Sequence, residues 1–274
     1  MMAFCDTIKL EKGMYNISGK SFTSVLEDLD PSENYKGTSL EGLDAYQRQL
    51  KRFNIKVSGR GCDKVEKFFS TPDSAILFPE FLSRAIKQGL TACDVIPEIT
   101  AVNTIIDGID YRAIKSETAS ATPTDATEGN ALREVSVRTN SSLVSLKKYG
   151  RLFSSSYEAL RFQNLDVVAV IFKKIGMDIA NEQMLDVVST LVSSGSSAAT
   201  EVEPETPGTL TYTDLLTLWK NFNPYHPNVM MASSTTIKEI LSLPAMQDAE
   251  AGLAFHGTGN LVTPLGAKLV MVKG

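Results

Sequence analysis

Two short patterns in the sequence are similar to phosphate-binding and acylating motifs, and each lacks a part that its chemistry requires. A phosphate-binding loop, G-x-x-x-x-G-K-[ST], surrounds phosphate with backbone N–H groups and depends on its spacing. The stretch from Gly13 to Ser21 is one residue too long, and no apolar helix is predicted after it. Ser145 to Lys148 matches the S-x-x-K of serine acylases, but its S-D-N and K-T-G partners are absent and the serine is predicted on a strand. Neither chemistry is predicted.

The chain contains two histidines, His226 and His256, which is few for an acid–base pair or a histidine-rich metal site. His226 lies between prolines in a predicted turn and is expected to face solvent. His256 opens a His-Gly-Thr-Gly stretch whose backbone could bind an anion, although a surface loop is the favoured interpretation. We expect no enzyme activity, no catalytic residue, no metal and no cofactor. A hydrolase or nucleotide-binding enzyme that uses Lys20 or His256 is kept as an alternative.

The composition indicates a folded protein made in a reducing compartment. With 274 residues, 43% of them hydrophobic, the chain is long enough for one large core or two smaller ones. Its three cysteines, Cys5, Cys62 and Cys93, are odd in number and far apart, which favours free thiols. The first residues are too polar for a secretory signal, and no segment has the roughly 20 apolar residues that span a bilayer. We expect a soluble, intracellular protein with no membrane partner.

Charge is distributed in a way that allows local contacts between copies. A formal net charge of -5 argues against a protein that coats nucleic acid. The predicted contact residues between subunits are Arg138, Lys147, Lys148, Arg151, Glu128 and Glu134, with further acidic candidates at Asp166, Glu201, Glu203 and Glu205. Two interpretations stay open: a solvated charged face, or charge complementarity that fixes the register of an assembly.

Residues 1–62 are predicted to form an N-terminal arm with too little apolar surface for a core of its own. A helix is predicted from Ser39 to Phe53, with Leu40, Leu43, Tyr46 and Leu50 at three- and four-residue steps. This pattern leaves Arg48, Lys51 and Arg52 for solvent or a partner. Such a segment is usually loose until another subunit covers it.

The next two segments differ in how their apolar residues are arranged. Residues 63–108 are predicted to supply the first core elements, with an apolar entry at Ile76 to Leu82 and β-branched, strand-like residues from Val95 to Ile109. Residues 109–150 alternate apolar and polar side chains on both sides of a Thr- and Ala-rich tract that begins at Thr118. This predicts a long two-stranded hairpin, which is marginal alone in water and needs bracing from outside itself.

Residues 151–208 are predicted to contain one long helix followed by a polar connector. Ser155 and Glu158 have the spacing of a capping box, so the helix is expected to begin there. Ser156 to Val192 as one helix would span about 55 Å at about 1.5 Å per residue. Gly176 costs about 1 kcal/mol against Ala in a helix interior, so a bend or break is predicted at this residue. The connector runs from Ser193 to Gly208.

Residues 209–274 are predicted to form a second, smaller region. Its predicted elements are a helix at Asp214 to Phe222, a strand at Val229 to Ala232, a helix capped by Thr236 and Glu239 that ends before Pro244, and strand-like runs at Leu261–Val262 and 269–272. Together with the preceding segments, this predicts an α+β fold.

The order of these parts resembles the major capsid proteins of tailed bacteriophages, whose Hong Kong 97-type fold is shared by encapsulin shells. The segments that carry the resemblance are Ile76 to Phe81, the hairpin from Ile109 to Gly150, Ser154 to Glu158, Asp214 to Trp219, and Pro227 to Ala232 with Thr235 to Ile237. The resemblance covers roughly Asp63 to the end of the chain. It rests on architecture and diffuse patterning.

The resemblance implies roles for the five segments. Residues 1–62 would be the N-terminal arm, 63–108 the start of the peripheral domain, 109–150 the extended loop on a neighbouring subunit, 151–208 the spine helix and peripheral domain, and 209–274 the axial domain. Family members commonly continue beyond the point that matches Gly274, so a truncated or shortened axial domain is expected. No long helical scaffolding segment precedes the arm, so a separate scaffolding protein is expected, or a segment that has been removed.

The resemblance also implies a function. The expected protein is a major capsid protein that assembles in the host bacterial cytoplasm into hexamers and pentamers and forms the icosahedral shell of a virion. Its implied partners are copies of itself, a scaffolding protein, a portal and a maturation protease, and it would enclose double-stranded DNA without reading its sequence. The nearest rival is an encapsulin-like compartment that encloses protein cargo.

Overall fold

The computed structural model describes residues 7–106, 110–112, 114–117, 136–139, 143–193, 202–223, 225–247 and 266–272. It mixes helices with a few short strands, which is compatible with the α+β class predicted from sequence. The chain divides into two compact units, one of residues Thr100–Gly150 and the other of Met1–Ile99 with Arg151–Gly274. The predicted tract from Thr118 to Asp125 and the predicted strand Leu261–Val262 lie outside the described residues.

The described helices follow one another along the chain with the strands between them. The helices are α1 (Phe22–Leu29), α2 (Ala45–Arg52), α3 (Pro72–Ile76), α4 (Phe78–Ala92), α5 (Ile96–Ile99), α6 (Tyr157–Arg161), α7 (Leu165–Ser193), α8 (Tyr212–Asn221), α9 (Ser234–Ser242) and α10 (Pro244–Gln247). The strands are β1 (Asp110–Tyr111), β2 (Ile114–Glu117), β3 (Ser136–Thr139), β4 (Val144–Ser145), β5 (Val229–Ala232) and β6 (Lys268–Met271).

The main core joins residues 10–55 to the long helix, so the expectation of an arm with too little apolar surface for a core is wrong. Phe22 and Leu26 of α1 and Tyr46 of α2 are buried in the same cluster as Phe81 of α4 and Phe172 of α7. The predicted helix at 39–53 forms only as α2, because Asp44 caps its N-terminus through a capping box with Gln47. The apolar residues of this segment are few, but each α-helix places them on one face.

A buried ion pair lies at the centre of the N-terminal region. The sequence pattern left Arg48 for solvent or a partner, and this is wrong, since its side chain is fully buried. Its Nε donates to Oδ2 of Asp30 at 2.7 Å, and its Nη1 donates to the carbonyl oxygen of Leu43 at 2.6 Å. Tyr35 donates its hydroxyl to the other oxygen of Asp30 at 2.6 Å, and the guanidinium lies 4.4 Å from the centre of the Tyr35 ring. The charge is therefore paired inside the chain.

Helices α4 and α7 cross with their backbones almost in contact. A Cβ atom on Gly89 would lie 2.0 Å from the carbonyl oxygen of Lys173, and one on Gly176 would lie 2.2 Å from that of Ile86. Each glycine therefore sits where the other helix leaves no room for a side chain. The bend or break predicted at Gly176 is wrong: α7 is continuous there, and the glycine serves the close approach of the two helices.

The long helix begins later than predicted and in two pieces. Ser156, not Ser155, caps α6, since its hydroxyl accepts from the N–H of Ala159. The helix stops after Arg161 because the backbone there bonds elsewhere in the chain: Val65 donates to the carbonyl of Gln163 at 3.0 Å, and Leu165 donates to that of Asp63 at 2.9 Å. The remaining 29 residues form α7.

In the described part of residues 109–150 the strands pair antiparallel, as the alternation predicted, and they form two two-stranded sheets, together called the ribbon. β1 pairs with β4, with Asp110 opposite Ser145, and β2 pairs with β3, with Ile114 opposite Thr139. The strand predicted from Val95 onward is wrong, because residues 96–99 form the short helix α5 and residues 100–106 have no regular structure. Asp94 accepts from the N–H of Ile96 at 3.1 Å, which favours a helical turn at this point.

A small second cluster holds the C-terminal elements together. Leu215 of α8, Ile240 of α9 and Leu269 of β6 are buried against one another. β5 and β6, both predicted from sequence, pair in parallel, with Val229 opposite Lys268. The cap of α9 is Ser233 instead of the predicted Thr236, and the helix ends before Pro244 as predicted. None of the described helices combines the length and apolar character needed to cross a bilayer.

The glycine crossing predicts that Gly176→Ala destabilises the protein strongly. Alanine favours a helix by about 1 kcal/mol over glycine, but its methyl group would force α4 and α7 apart. We expect a net loss of about 2 kcal/mol or more in the free energy of unfolding, measured by chemical denaturation. Gly13→Ala is the control, since a Cβ there meets nothing within 4 Å. Equal stability of the two variants would contradict the packing role.

The buried ion pair predicts that Arg48→Met destabilises the fold by about 3–5 kcal/mol, because Asp30 is left buried without its cation. Lys20→Met is the control, since Lys20 and Asp28 form an exposed pair worth less than about 1 kcal/mol. Urea denaturation of both variants measures the difference. A loss for Arg48→Met no larger than for Lys20→Met would show that Asp30 does not depend on this partner.

Candidate assembly surface

The ribbon of β1 to β4 presents apolar side chains to solvent. Its strands pair only with one another in the described residues, so each keeps one edge without a strand partner there. Among the residues described in this unit, seven apolar side chains are exposed: Val137 in β3, Val144 in β4, Leu143 and Leu146 beside β4, and Val102, Ile105 and Ile106 before β1. Val137 in β3 is 66% exposed. Edges of this kind are templates for pairing, and exposed apolar patches mark contact surfaces.

The predicted basic cluster is divided between the two units. Arg138, Lys147 and Lys148 are exposed residues of the Thr100–Gly150 unit. Arg151 belongs to the other unit, where its Nη1 lies 3.2 Å from Oδ2 of Asp178 in α7. The acidic candidates Glu128 and Glu134 lie outside the described residues. Charge complementarity between copies therefore stays a prediction for these residues.

A second exposed apolar surface follows the outer side of α8. Leu216 and Trp219 of α8, and Phe222 and Tyr225 after the end of the helix, recur at three-residue steps, and all four are exposed. The inner side of the same helix places Leu215 in the small C-terminal cluster. The ring of His226 stacks on Trp219 with ring centres 6.0 Å apart. The sequence pattern identified this helix but missed its outer surface, although the three-residue spacing is readable from sequence. His226 is exposed, as predicted.

Asp214 at the start of α8 fixes an acidic segment that precedes the helix. Its Oδ1 accepts from the N–H of Glu205 at 3.0 Å, and its Oδ2 accepts from the hydroxyl of Thr211 at 2.7 Å. The N–H of Glu205 and the hydroxyl and N–H of Thr211 hold the pKa of Asp214 below its usual range, since they stabilise the carboxylate. The Glu205 end of the connector is therefore held in place by an ionised side chain.

The enzyme alternative depends on Lys20 or His256. Lys20 has a structural partner, and His256 is not among the described residues. The absence of a helix after Ser21 was predicted wrongly: Ser21 caps α1 by accepting from the N–H of Ser24 at 3.1 Å. Lys20 Nζ lies 2.5 Å from Oδ2 of Asp28 on that same helix. The element before this turn is a 3₁₀ helix at Lys12–Asn16. A phosphate-binding loop, in contrast, follows a strand. His256 lies outside the described residues.

In the part of the chain that the structure describes, no group of three or more His, Cys, Asp or Glu side chains is placed to hold a metal ion. Cys62 and Cys93 are free thiols, as predicted, and Cys5 lies outside the described residues.

Comparisons with known proteins give no relative: no protein-family model, no curated protein and no solved structure matches the chain. What is established is the mixed helical and strand architecture. The resemblance to Hong Kong 97-type capsid proteins stays a prediction from sequence.

The α8 surface predicts a fluorescence change on self-association. Trp219 is the single tryptophan of the chain and is 39% exposed. If a second copy covers this surface, the indole leaves water, and its emission shifts to shorter wavelength as the protein concentration rises. The control is the same titration of Trp219→Phe, which removes the signal. Association detected by light scattering with unchanged Trp219 emission would show that this surface stays open.

Proposed function

We propose that this protein is a structural subunit that assembles with copies of itself into a closed shell, as the major capsid proteins of tailed bacteriophages do around double-stranded DNA. In this proposal its activity is assembly into hexamers and pentamers. The virion is the proposed location, and scaffolding protein, portal and maturation protease are the proposed partners.

The single observation that carries the proposal is the apolar ribbon. A two-stranded ribbon is marginally stable by itself in water and needs a third layer or strand. Covering a Val or Leu side chain is worth on the order of 1–3 kcal/mol, so several of them on one ribbon favour contact with another molecule. A second copy is always present at equal concentration, and burial between copies stabilises both by mass action.

The other unit of the chain offers further contact surface. The outer side of α8 is apolar and exposed, and α7 exposes Val167, Val170 and Ile171 near one end and Leu191 and Val192 near the other. Closed assemblies of identical chains use the same surfaces in every copy. Several distinct exposed surfaces on one chain therefore support a subunit with more than one neighbour. The order of elements along the chain supports a capsid protein in particular, through the resemblance in sequence.

Val137→Lys tests the proposal at the ribbon. A lysine on this exposed position leaves the subunit folded but places a charge where the apolar contact is proposed, so we expect loss of particles in negative-stain electron microscopy. Met271→Lys is the matched control, since Met271 is 67% exposed on β6 against 66% for Val137, and it belongs to none of the proposed contact surfaces. Normal shells from Val137→Lys, or equal loss from both variants, would contradict a specific role for the ribbon.

The contents of purified particles separate the two shell proposals. Double-stranded DNA inside particles from infected cells is the result expected for a capsid, whereas a defined protein cargo without nucleic acid would indicate an encapsulin-like compartment. A protein that stays monomeric at all concentrations in light scattering would contradict both.

A further inference from the structure

A basic groove lies beside the point where α4 and α7 cross. It is an open cavity of about 580 Å³ lined by Arg84, Lys87, Gln88, Thr91, Ala92 and Lys173. The glycine crossing places the α7 backbone at Lys173 directly against Gly89, so lysines from two different helices line the same cavity. Cationic side chains from both helices favour an anionic occupant.

The positive charge of this groove comes from its two lysines. Arg84 is already paired, with Nη1 at 2.8 Å from Oδ2 of Asp44 and Nε at 3.1 Å from Oε1 of Glu80. Lys87 and Lys173 are exposed, and within the described residues neither forms an ion pair. The occupant that fits best therefore carries two negative charges.

The chain itself carries such a segment at residues 202–205. Glu203 and Glu205 are exposed, and neither forms an ion pair in the described part of the chain. Pro204 fixes its own φ and keeps Glu203 extended. Only Pro204 separates the two glutamates along the chain. Asp214 holds the N–H of Glu205, so the segment is ordered before it binds and loses little entropy on binding.

The geometry points to a contact between copies in which the Glu203–Glu205 segment of one copy binds the Lys87 and Lys173 groove of the next. This inference rests on the proposed assembly and names one of its contacts. Within one copy, neither glutamate pairs with either lysine. A groove that binds a different part of the neighbouring copy forms a head-to-tail contact, and such contacts generate rings when the rotation closes.

Charge complementarity of this kind sets register and association rate more than affinity. Each copy has a formal net charge of -5 and repels the others at long range. A local attraction between opposite charges selects one relative orientation against that repulsion. The contact is exposed to solvent, so added salt is expected to weaken it.

Charge reversal and its restoration test the contact. We expect Lys87→Glu/Lys173→Glu and Glu203→Lys/Glu205→Lys each to slow assembly about 10-fold or more at low salt, followed by light scattering. The quadruple variant, in which both surfaces are reversed together, is expected to recover to within about 3-fold of the parent protein. Lys12→Glu/Lys36→Glu is the control for net charge, since both lysines are exposed and lie outside the groove. Circular dichroism establishes that every variant is folded.

Slow assembly of both double variants with recovery in the quadruple variant supports the inference. If the parent assembles and the groove variant behaves like Lys12→Glu/Lys36→Glu, the contact is overturned while the proposed assembly stands. If only the groove variant is slow and the glutamate variant is normal, the groove takes another anion, such as nucleic-acid phosphate, and the contact is again overturned. A parent that never assembles overturns both proposals.

Discussion

The close crossing of α4 and α7 is the constraint on which the larger unit depends. Gly89 and Gly176 lie opposite carbonyl groups of the partner helix, so neither can be replaced without separating the helices. The main core is built from this pair together with α1 and α2, which pack Phe22, Leu26 and Tyr46 against it. The basic groove and the exposed surface of α7 are positioned by the same crossing. Dense packing of this kind transmits a local displacement to everything attached to it.

The N-terminal region is attached to that core by polar as well as apolar contacts. Arg48 and Asp30 are both fully buried, and Tyr35 and backbone carbonyls satisfy their remaining hydrogen-bonding groups. Arg84 links α4 to Asp44, the residue that caps α2. A buried pair contributes little net stability beyond an apolar substitute but strongly penalises structures in which it is broken. It therefore specifies how α1 and α2 pack.

Local patterns were predictable from the sequence, whereas features that depend on distant residues were not. The ribbon, β5, β6 and the end of α9 before Pro244 follow from alternation and proline positions. The interruption before Leu165 depends on hydrogen bonds to Asp63 and Val65, which lie far earlier in the chain. Arg48 was predicted to face solvent because its partner, Asp30, lies outside its helix. A bend or break was predicted at Gly176 because the helix that packs against it, α4, is distant in sequence. For the candidate surface, the ribbon was predictable and the groove was not.

The pairing of β1 with β4 brings the two ends of the ribbon together at its base. Asp110 lies opposite Ser145 and Tyr111 opposite Val144, so the chain leaves this base and returns to it across two adjacent residue pairs. Loop-closure entropy changes slowly with loop length. Evolution can therefore lengthen or shorten the ribbon in steps of one pair without disturbing the helical body, and foreign sequence could be inserted beyond the base in the same way. The same helical unit can therefore carry ribbons of different length.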